Sequence, residues 1–234
     1  DRPSIDDFLV TVTPPLYTGL KKQSQKANQA QIQAIKGSTI TVELKSNREL
    51  DLAELILDEE TKGMIVKGKK AEFKFIANSN QKFSINLKDK RGVRNRNPIP
   101  FNIQIINDIS PQMTIIQPPP IIELGSDQEI PILMSIEDDF GFSNLQLSYE
   151  LQRPNYIQAE PFISLFNIKI NKPFEAQQDI QTVWDLKPLG LMPEDEVHFH
   201  FELYDNDIVT GPKKTISSTF IARLPSLNDL FHSF

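Results

Sequence analysis

The chain has 234 residues, 39% of them hydrophobic, no cysteine, and a formal net charge of -6. That length suits one large or two small domains, and that apolar share is enough for real cores. The lack of cysteine excludes disulfides, thiolate catalysis and cysteine-ligated zinc, and no run approaches the roughly 18 apolar residues of a membrane-spanning helix.

In chain order, Phe8 to Thr13 reads as a strand stopped by Pro14-Pro15. The same shape returns as Met113 to Gln117, halted by Pro118-Pro119-Pro120 and resumed at Ile121. Proline cannot donate to a ladder, so each break marks a strand leaving one sheet for another. Residues 20–36 are polar and Gln-rich and read as an insertion in the first half, a loop or a short surface helix. Paired second strands follow, with Ile40, Val42 and Leu44 alternating, then Ile130, Ile132, Met134 and Ile136. Pro131 is a mild strain on the latter. Third strands carry Ala53, Leu55 and Leu57, then Leu145, Leu147, Tyr149 and Leu151. Short strands are expected near 63–67 and 162–170, and fifth strands at Phe73/Phe75 and Val183-Trp184. The clearest strand is Val197, Phe199, Phe201 and Leu203, alternating with His198, His200, Glu202 and Tyr204, and Phe83, Ile85 and Leu87 repeat it earlier. Last strands carry Phe101, Ile103 and Ile105, then Ile216, Phe220 and Ala222.

About seven short strands per half, with turn residues between them, predict an all-β protein of two tandem immunoglobulin-like β-sandwich domains. The predicted domains are 1–108, with the polar insertion at 20–36, and 109–225. Residues 226–234 read as the start of a C-terminal helix or tail, because Ser226 and Asp229 resemble a helix start. The first residues, Asp1-Arg2-Pro3, lack an initiator Met, so a fragment of a longer chain is expected. Residues 1–108 hold 18 basic against 13 acidic residues, a net of +5, and residues 109–234 hold 7 against 18, a net of -11. The halves would therefore seek different partners.

The segments PPLYTG (14–19), EDDFGFSNLQLSYEL (137–151), DLKPLGLMPEDEVHFHFELYDND (185–207) and RLPSLNDLF (223–231) resemble an uncharacterised bacterial family. Its members are membrane-anchored proteins with tandem Ig-like domains and a following coiled-coil region. The resemblance covers most of the chain and is most specific around DDFG and DND. It implies a periplasmic or extracellular location in a membrane-anchored parent protein of the cell envelope, and it implies no known activity.

An acidic constellation is the first candidate site. In an Ig-like sandwich the loops holding Asp138 and Asp139, and Asp205 and Asp207, lie at the same end as the linker residue Asp108. Asn107-Asp108-Ile109-Ser110-Pro111 has the form of a cadherin linker. Calcium takes six to eight oxygens, so it is the candidate ion, with no other cofactor expected. The competing reading is that these aspartates hydrogen-bond their own turns. His198, His200 and Glu202 make a conceivable zinc site, against a plain solvated strand face.

Lys88, Lys90, Arg91, Arg94 and Arg96 form a basic loop, joined by Arg48. It would suit an anionic partner such as a membrane surface, an acidic glycan or an acidic protein, against a loop that is merely solvated. Nucleic acid is not expected, because no motif or interleaved aromatic platform is present. The sequence has no phosphate-cradling glycine loop, HExxH or G-x-S-x-G, so no enzyme is expected. Asp138 and Asp205 would be the pair of carboxylates a glycosidase needs. The expected function is a non-enzymatic structural or interaction module, with protein or glycan of the envelope as partner. The alternatives are a glycan- or peptide-binding module, with or without calcium stiffening, then a carbohydrate-active enzyme.

Overall fold

A computed structural model describes residues 1–26, 31–158, 160 and 162–226. The chain divides into Asp1–Asp108 and Ile109–Phe234, each with its own apolar core. Both units are immunoglobulin-like sandwiches of two sheets.

The first unit contains, in chain order, β1 (Ile5–Thr13), β2 (Gln23–Lys26), β3 (Gln31–Ile35), β4 (Ser38–Ser46) and β5 (Leu50–Leu57). Then come β6 (Glu60–Gly63), β7 (Ile65–Lys67), β8 (Lys70–Ala77), β9 (Gln81–Asp89) and β10 (Phe101–Ile106). One sheet has the order β2-β1-β4-β8-β7 and the other β3-β10-β9-β5-β6. Alternation sends Ile40, Val42 and Leu44 of β4 inward to face Phe83, Ile85 and Leu87 of β9, all buried. Phe8, Phe101 and Phe83 stack in series, with centroids 4.6 and 5.0 Å apart. Each such side chain contributes about 1.5–3 kcal/mol by leaving water.

The Gln-rich segment at 20–36, expected as a loop or a short surface helix, contains two strands among its described residues. It supplies β2, antiparallel to β1, and β3, parallel to β10, one strand to each sheet. The reason lies in QIQAI (31–35): Ile32 and Ala34 alternate with Gln31 and Gln33 and are buried. The high glutamine content masks a period of two.

The second unit contains β11 (Gln112–Gln117), β12 (Ile121–Glu123), β13 (Glu129–Glu137), β14 (Phe142–Gln152) and β15 (Phe162–Asn167). It continues with β16 (Gln177–Asp185), β17 (Glu196–Asp205), β18 (Lys214–Ile216) and β19 (Phe220–Arg223). A three-stranded sheet, β11-β13-β16, packs on β12-β19-β17-β14-β15, in which β18 also pairs with β17. β17 is the spine: Val197, Phe199, Phe201 and Leu203 are fully buried, and Trp184 of β16 meets Phe199 edge-on at 5.3 Å. The proline run at 118–120 carries the chain from β11 in one sheet to β12 in the other. Pro131 lies past the end of the β11 ladder, which stops at Leu133, so only β16 pairs beside it.

Ile216, expected in the core with Phe220 and Ala222, is 51% exposed. β17 pairs Glu202 with Ile216 but Phe199 with Phe220, so the register slips by one residue between β18 and β19. A slip of one turns a side chain to the other face. Ser217 fills the irregularity: its amide donates to the Phe201 carbonyl, and its hydroxyl accepts from the Phe201 amide, both at 2.9 Å. The expected tail helix lies, from 227 onward, outside the described residues. Among the described residues, no helix is long and apolar enough to cross a membrane.

Candidate functional site

The acidic loop of the second unit begins where β17 ends. Asp205 is its last residue and is fully buried. A buried carboxylate costs several kcal/mol unless its oxygens are bonded. One oxygen of Asp205 accepts the amides of Asp207 (3.2 Å) and Lys213 (2.8 Å), and the other accepts the Lys213 ammonium (3.2 Å). Asp207, 1% exposed, repeats the pattern one step on. Its oxygens take the amides of Val209 (2.7 Å) and Thr210 (3.1 Å), the Thr210 hydroxyl, and the same Lys213 ammonium at 2.9 Å. Burial opposes ionisation of Asp207, but these donors outweigh it and hold the carboxyl at about 2. Lys213 therefore bridges both aspartates. A calcium ion placed between Asp205 and Asp207 would have to displace it.

Asp138 follows β13 and is buried. Its Oδ2 accepts the amides of Phe140 and Gly141, both at 2.9 Å, which folds the chain back into β14. Gly141 has φ +110, and an added Cβ would lie 2.2 Å from the Pro173 carbonyl oxygen. Only glycine fits there. The Asn206 side-chain amide donates to the Phe140 carbonyl at 2.8 Å, tying this corner to the loop after β17. Asp139 is exposed and accepts the Ile109 amide at 3.5 Å. In the first unit, Asp108 accepts the Tyr17 hydroxyl at 3.1 Å.

His198 and His200 share the outer face of β17, as their alternation requires, and each lies against a different glutamate. His198 Nε2 is 2.8 Å from Glu196, and His200 Nε2 is 3.1 Å from Glu202. Glu196 is also bonded by Arg223. The hydrogen bonds of His198 and then Arg223 hold its carboxyl below the usual range. Glu202 takes Gln146 at 2.6 Å and Tyr204 at 2.8 Å, with Lys214 at 3.6 Å. Burial opposes its ionisation, but Tyr204, His200, Gln146 and the Lys214 charge outweigh it and hold it at about 2. Among the described residues, His198, His200 and Glu202 do not converge as three ligands of one ion.

The basic cluster of the first unit is spread over its acidic neighbours. Lys88 pairs with Asp51 (3.1 Å), Lys90 with Glu49 (2.7 Å) and Arg94 with Glu54 (3.5 Å). Arg48 lies 3.8 Å from Asp1. Such exposed pairs add little to stability and lower the positive potential of the loop. Arg96 lines a hollow of about 250 Å³ with Phe8, Pro98, Ile99 and Phe101. Arg91 is different. Its guanidinium donates twice to the buried Asp89, at 3.0 and 2.7 Å, while the other Asp89 oxygen accepts the amides of Arg91 and Val93 at 3.0 Å. Burial opposes ionisation of Asp89, and the Arg91 side chain, these two amides and the Arg91 charge outweigh it, holding the carboxyl below its usual range.

Asp89 and Lys213 were not singled out from the sequence. The signal for Asp89 was its place as the last residue of a period-two strand, the place Asp205 has in β17. Lys213 lies eight residues from Asp205 across a loop, so spacing alone could not pair them.

No family model matches the sequence, and no curated protein matches it. Among solved structures, the chain is similar to the fibronectin(III)-like modules of Clostridium thermocellum CbhA at 13% identity, with a TM-score of 0.32 over 94% of this chain and 95% of that one. It is similar to an ICAM-5 D1-D4 ectodomain fragment at 11% identity, with a TM-score of 0.30 over 94% of this chain and 52% of that one. It is also similar to Dpr2 Ig1-Ig2 in its complex with DIP-Theta Ig1-Ig3, at 7% identity and a TM-score of 0.32 over 97% of this chain and all of that one. The immunoglobulin-like assignment rests on the strand order and registers of this chain rather than on these likenesses.

Proposed function

We propose that the chain is a non-enzymatic structural module, a tandem immunoglobulin-like spacer on the outer side of a bacterial cell envelope, in a membrane-anchored parent. The observation that carries this reading is the pairing of early and exit strands. In the second unit β12 crosses to the sheet of β19 and runs parallel to it through Ile121/Ile221, Ile122/Ala222 and Glu123/Arg223. In the first, β3 runs parallel to β10 over five residue pairs, Gln31/Asn102 to Ile35/Ile106. Tension applied to the two ends of a unit slides parallel strands past one another. All bonds of the ladder then share the load instead of opening one by one. The buried carboxylates support the same reading, since Asp89, Asp205 and Asp207 spend their oxygens on the loops that precede the exit strands.

Single-molecule pulling tests it. The chain lacks cysteine, so engineered cysteines fix the pulling points. The second unit should resist a pull through residues 110 and 225 at clearly higher force than a pull across β17 and β19 that peels them apart. Ile122→Pro, which removes a ladder donor, should abolish the difference. Equal forces in both geometries would remove the mechanical basis of the proposal.

A further inference from the structure

β15 is the outermost strand of its sheet among the described residues, paired only with β14. Exposed sheet edges invite pairing with another chain, and proteins blunt them with charge, proline or bulges. The other sheet of this unit is blunted so: β16 carries Asp179 and Asp185, and β11 is broken by a bulge between Ile115 and Gln117. β15 is not. Its ladder runs without interruption from Phe162/Leu151 to Asn167/Gln146, and Phe162 to Asn167 holds no charge. Ile163 and Leu165 face solvent at 68% and 57% exposure, on the outer face beside Glu150 and Ser148.

The order of side chains on this edge is self-complementary. Phe162-Ile163-Ser164-Leu165-Phe166 reads nearly the same in both directions about Ser164. A twofold interface requires residue i to meet residue j while j meets i. Antiparallel pairing centred on Ser164 sets Ile163 against Leu165 twice on the outer face and Phe162 against Phe166 twice on the other. Apolar and aromatic cross-strand pairs of this kind are the favourable ones. Because opposed residues then have the same parity, both sandwiches stay on the same side of the joined sheet. The flanking charges agree: Glu160 precedes the run and Lys169 follows it. Antiparallel pairing brings the acidic end of one strand to the basic end of the other at both ends, whereas parallel pairing would set like against like.

We infer that a second copy of this chain is the partner of β15, joined edge to edge by antiparallel pairing about Ser164. An interface of one short strand pair lies at the small end of the range for specific complexes, so association is weak and depends on concentration. It acts at high local density, as on a shared surface.

Sedimentation of the 234-residue chain tests this over about 10 µM to about 1 mM, where such interfaces are populated. The wild type should pass from monomer to dimer. Leu165→Lys should weaken the dimer at least about tenfold, as an edge lysine does. Val183→Lys, at an exposed site on β16, should leave it unchanged. Both variants should melt with the wild type, since both positions are exposed. Cysteines read the register. Ser164→Cys should form a disulfide-linked dimer, because residues opposed on the axis have Cα atoms about 4.5–5.5 Å apart. Asn167→Cys should not, because its mate lies about 20 Å away along the strand. A wild type that stays monomeric throughout, or larger aggregates in place of a dimer, would overturn the inference. So would a dimer indifferent to Leu165→Lys, or equal cross-linking at 164 and 167.

Discussion

β9 and β17 both end on a buried aspartate, and the loops that follow are held by the same device in different materials. Asp89 faces Leu50 of β5, and Asp205 faces Phe142 of β14, each residue being the first of its strand. In both units one carboxylate oxygen takes two loop amides and the other takes a cation from the loop. The first unit uses Arg91, two residues on, whose side chain is 54% exposed. The second uses Lys213, eight residues on, 25% exposed and shared with Asp207. A short loop thus needs one aspartate and a surface arginine, and a longer one needs two aspartates around a half-buried lysine. In both units the carboxylate that ends the strand also holds the loop that follows it.

The comparison breaks most visibly at Asp205. Asp205→Ala leaves the amides of Asp207 and Lys213 without their acceptor at a buried site and the Lys213 ammonium with Asp207 alone, and removing one partner of a buried pair costs about 3–5 kcal/mol. Calorimetry should show the second unit melting earlier and the first unchanged. Gly141→Ala, at the neighbouring corner, forces a Cβ to 2.2 Å from the Pro173 oxygen at φ +110. The expected cost is about 2–4 kcal/mol, again confined to the second unit. Asp89→Ala should cost less, about 2 kcal/mol, because Arg91 can turn to water while the two loop amides cannot. If Asp89→Ala costs more than Asp205→Ala, the burial of the cation does not order the two devices.

Acid sharpens the comparison. Asp207 and Glu202 both titrate at about 2, against ordinary values of 3.8 and 4.5. A depressed carboxylate stabilises fully above its unfolded value and loses that contribution as the pH falls through its folded value. The second unit should therefore weaken between about pH 4.5 and pH 2, with Asp207 accounting for about 2 kcal/mol. Asp207→Asn should flatten that part of the profile, measured by urea unfolding at several pH values. The first unit should weaken in the same direction through Asp89. The smallest expected effect is that of calcium: with Lys213 seated between Asp205 and Asp207, the melting temperature of the second unit should not move at about millimolar calcium. A rise of several degrees would mean that the ion displaces the lysine.

Much of this architecture was legible in the sequence, because a half-buried strand writes its two faces into alternate residues. Val197 to Leu203 and Phe83 to Leu87 lie inward as that period requires. Where a second rule intervened, alternation misled. Ile216 obeys the period but sits beyond a one-residue slip, which composition does not record. Gln31 to Ile35 hides a strand under glutamine. At the site, the aspartates could be read and their cations could not, because loop closure, not spacing, brings Lys213 to Asp205. The edge strand β15 was expected only as a short strand, since its free side depends on which strands pair with which.

The most direct test of the claim that these carboxylates serve the loops is a double-mutant cycle of Asp205→Asn and Lys213→Met, followed by urea unfolding of the second unit. A coupling of about 2 kcal/mol or more is predicted for a buried, hydrogen-bonded pair. A coupling below about 0.5 kcal/mol, within the scatter of independent sites, would contradict the account.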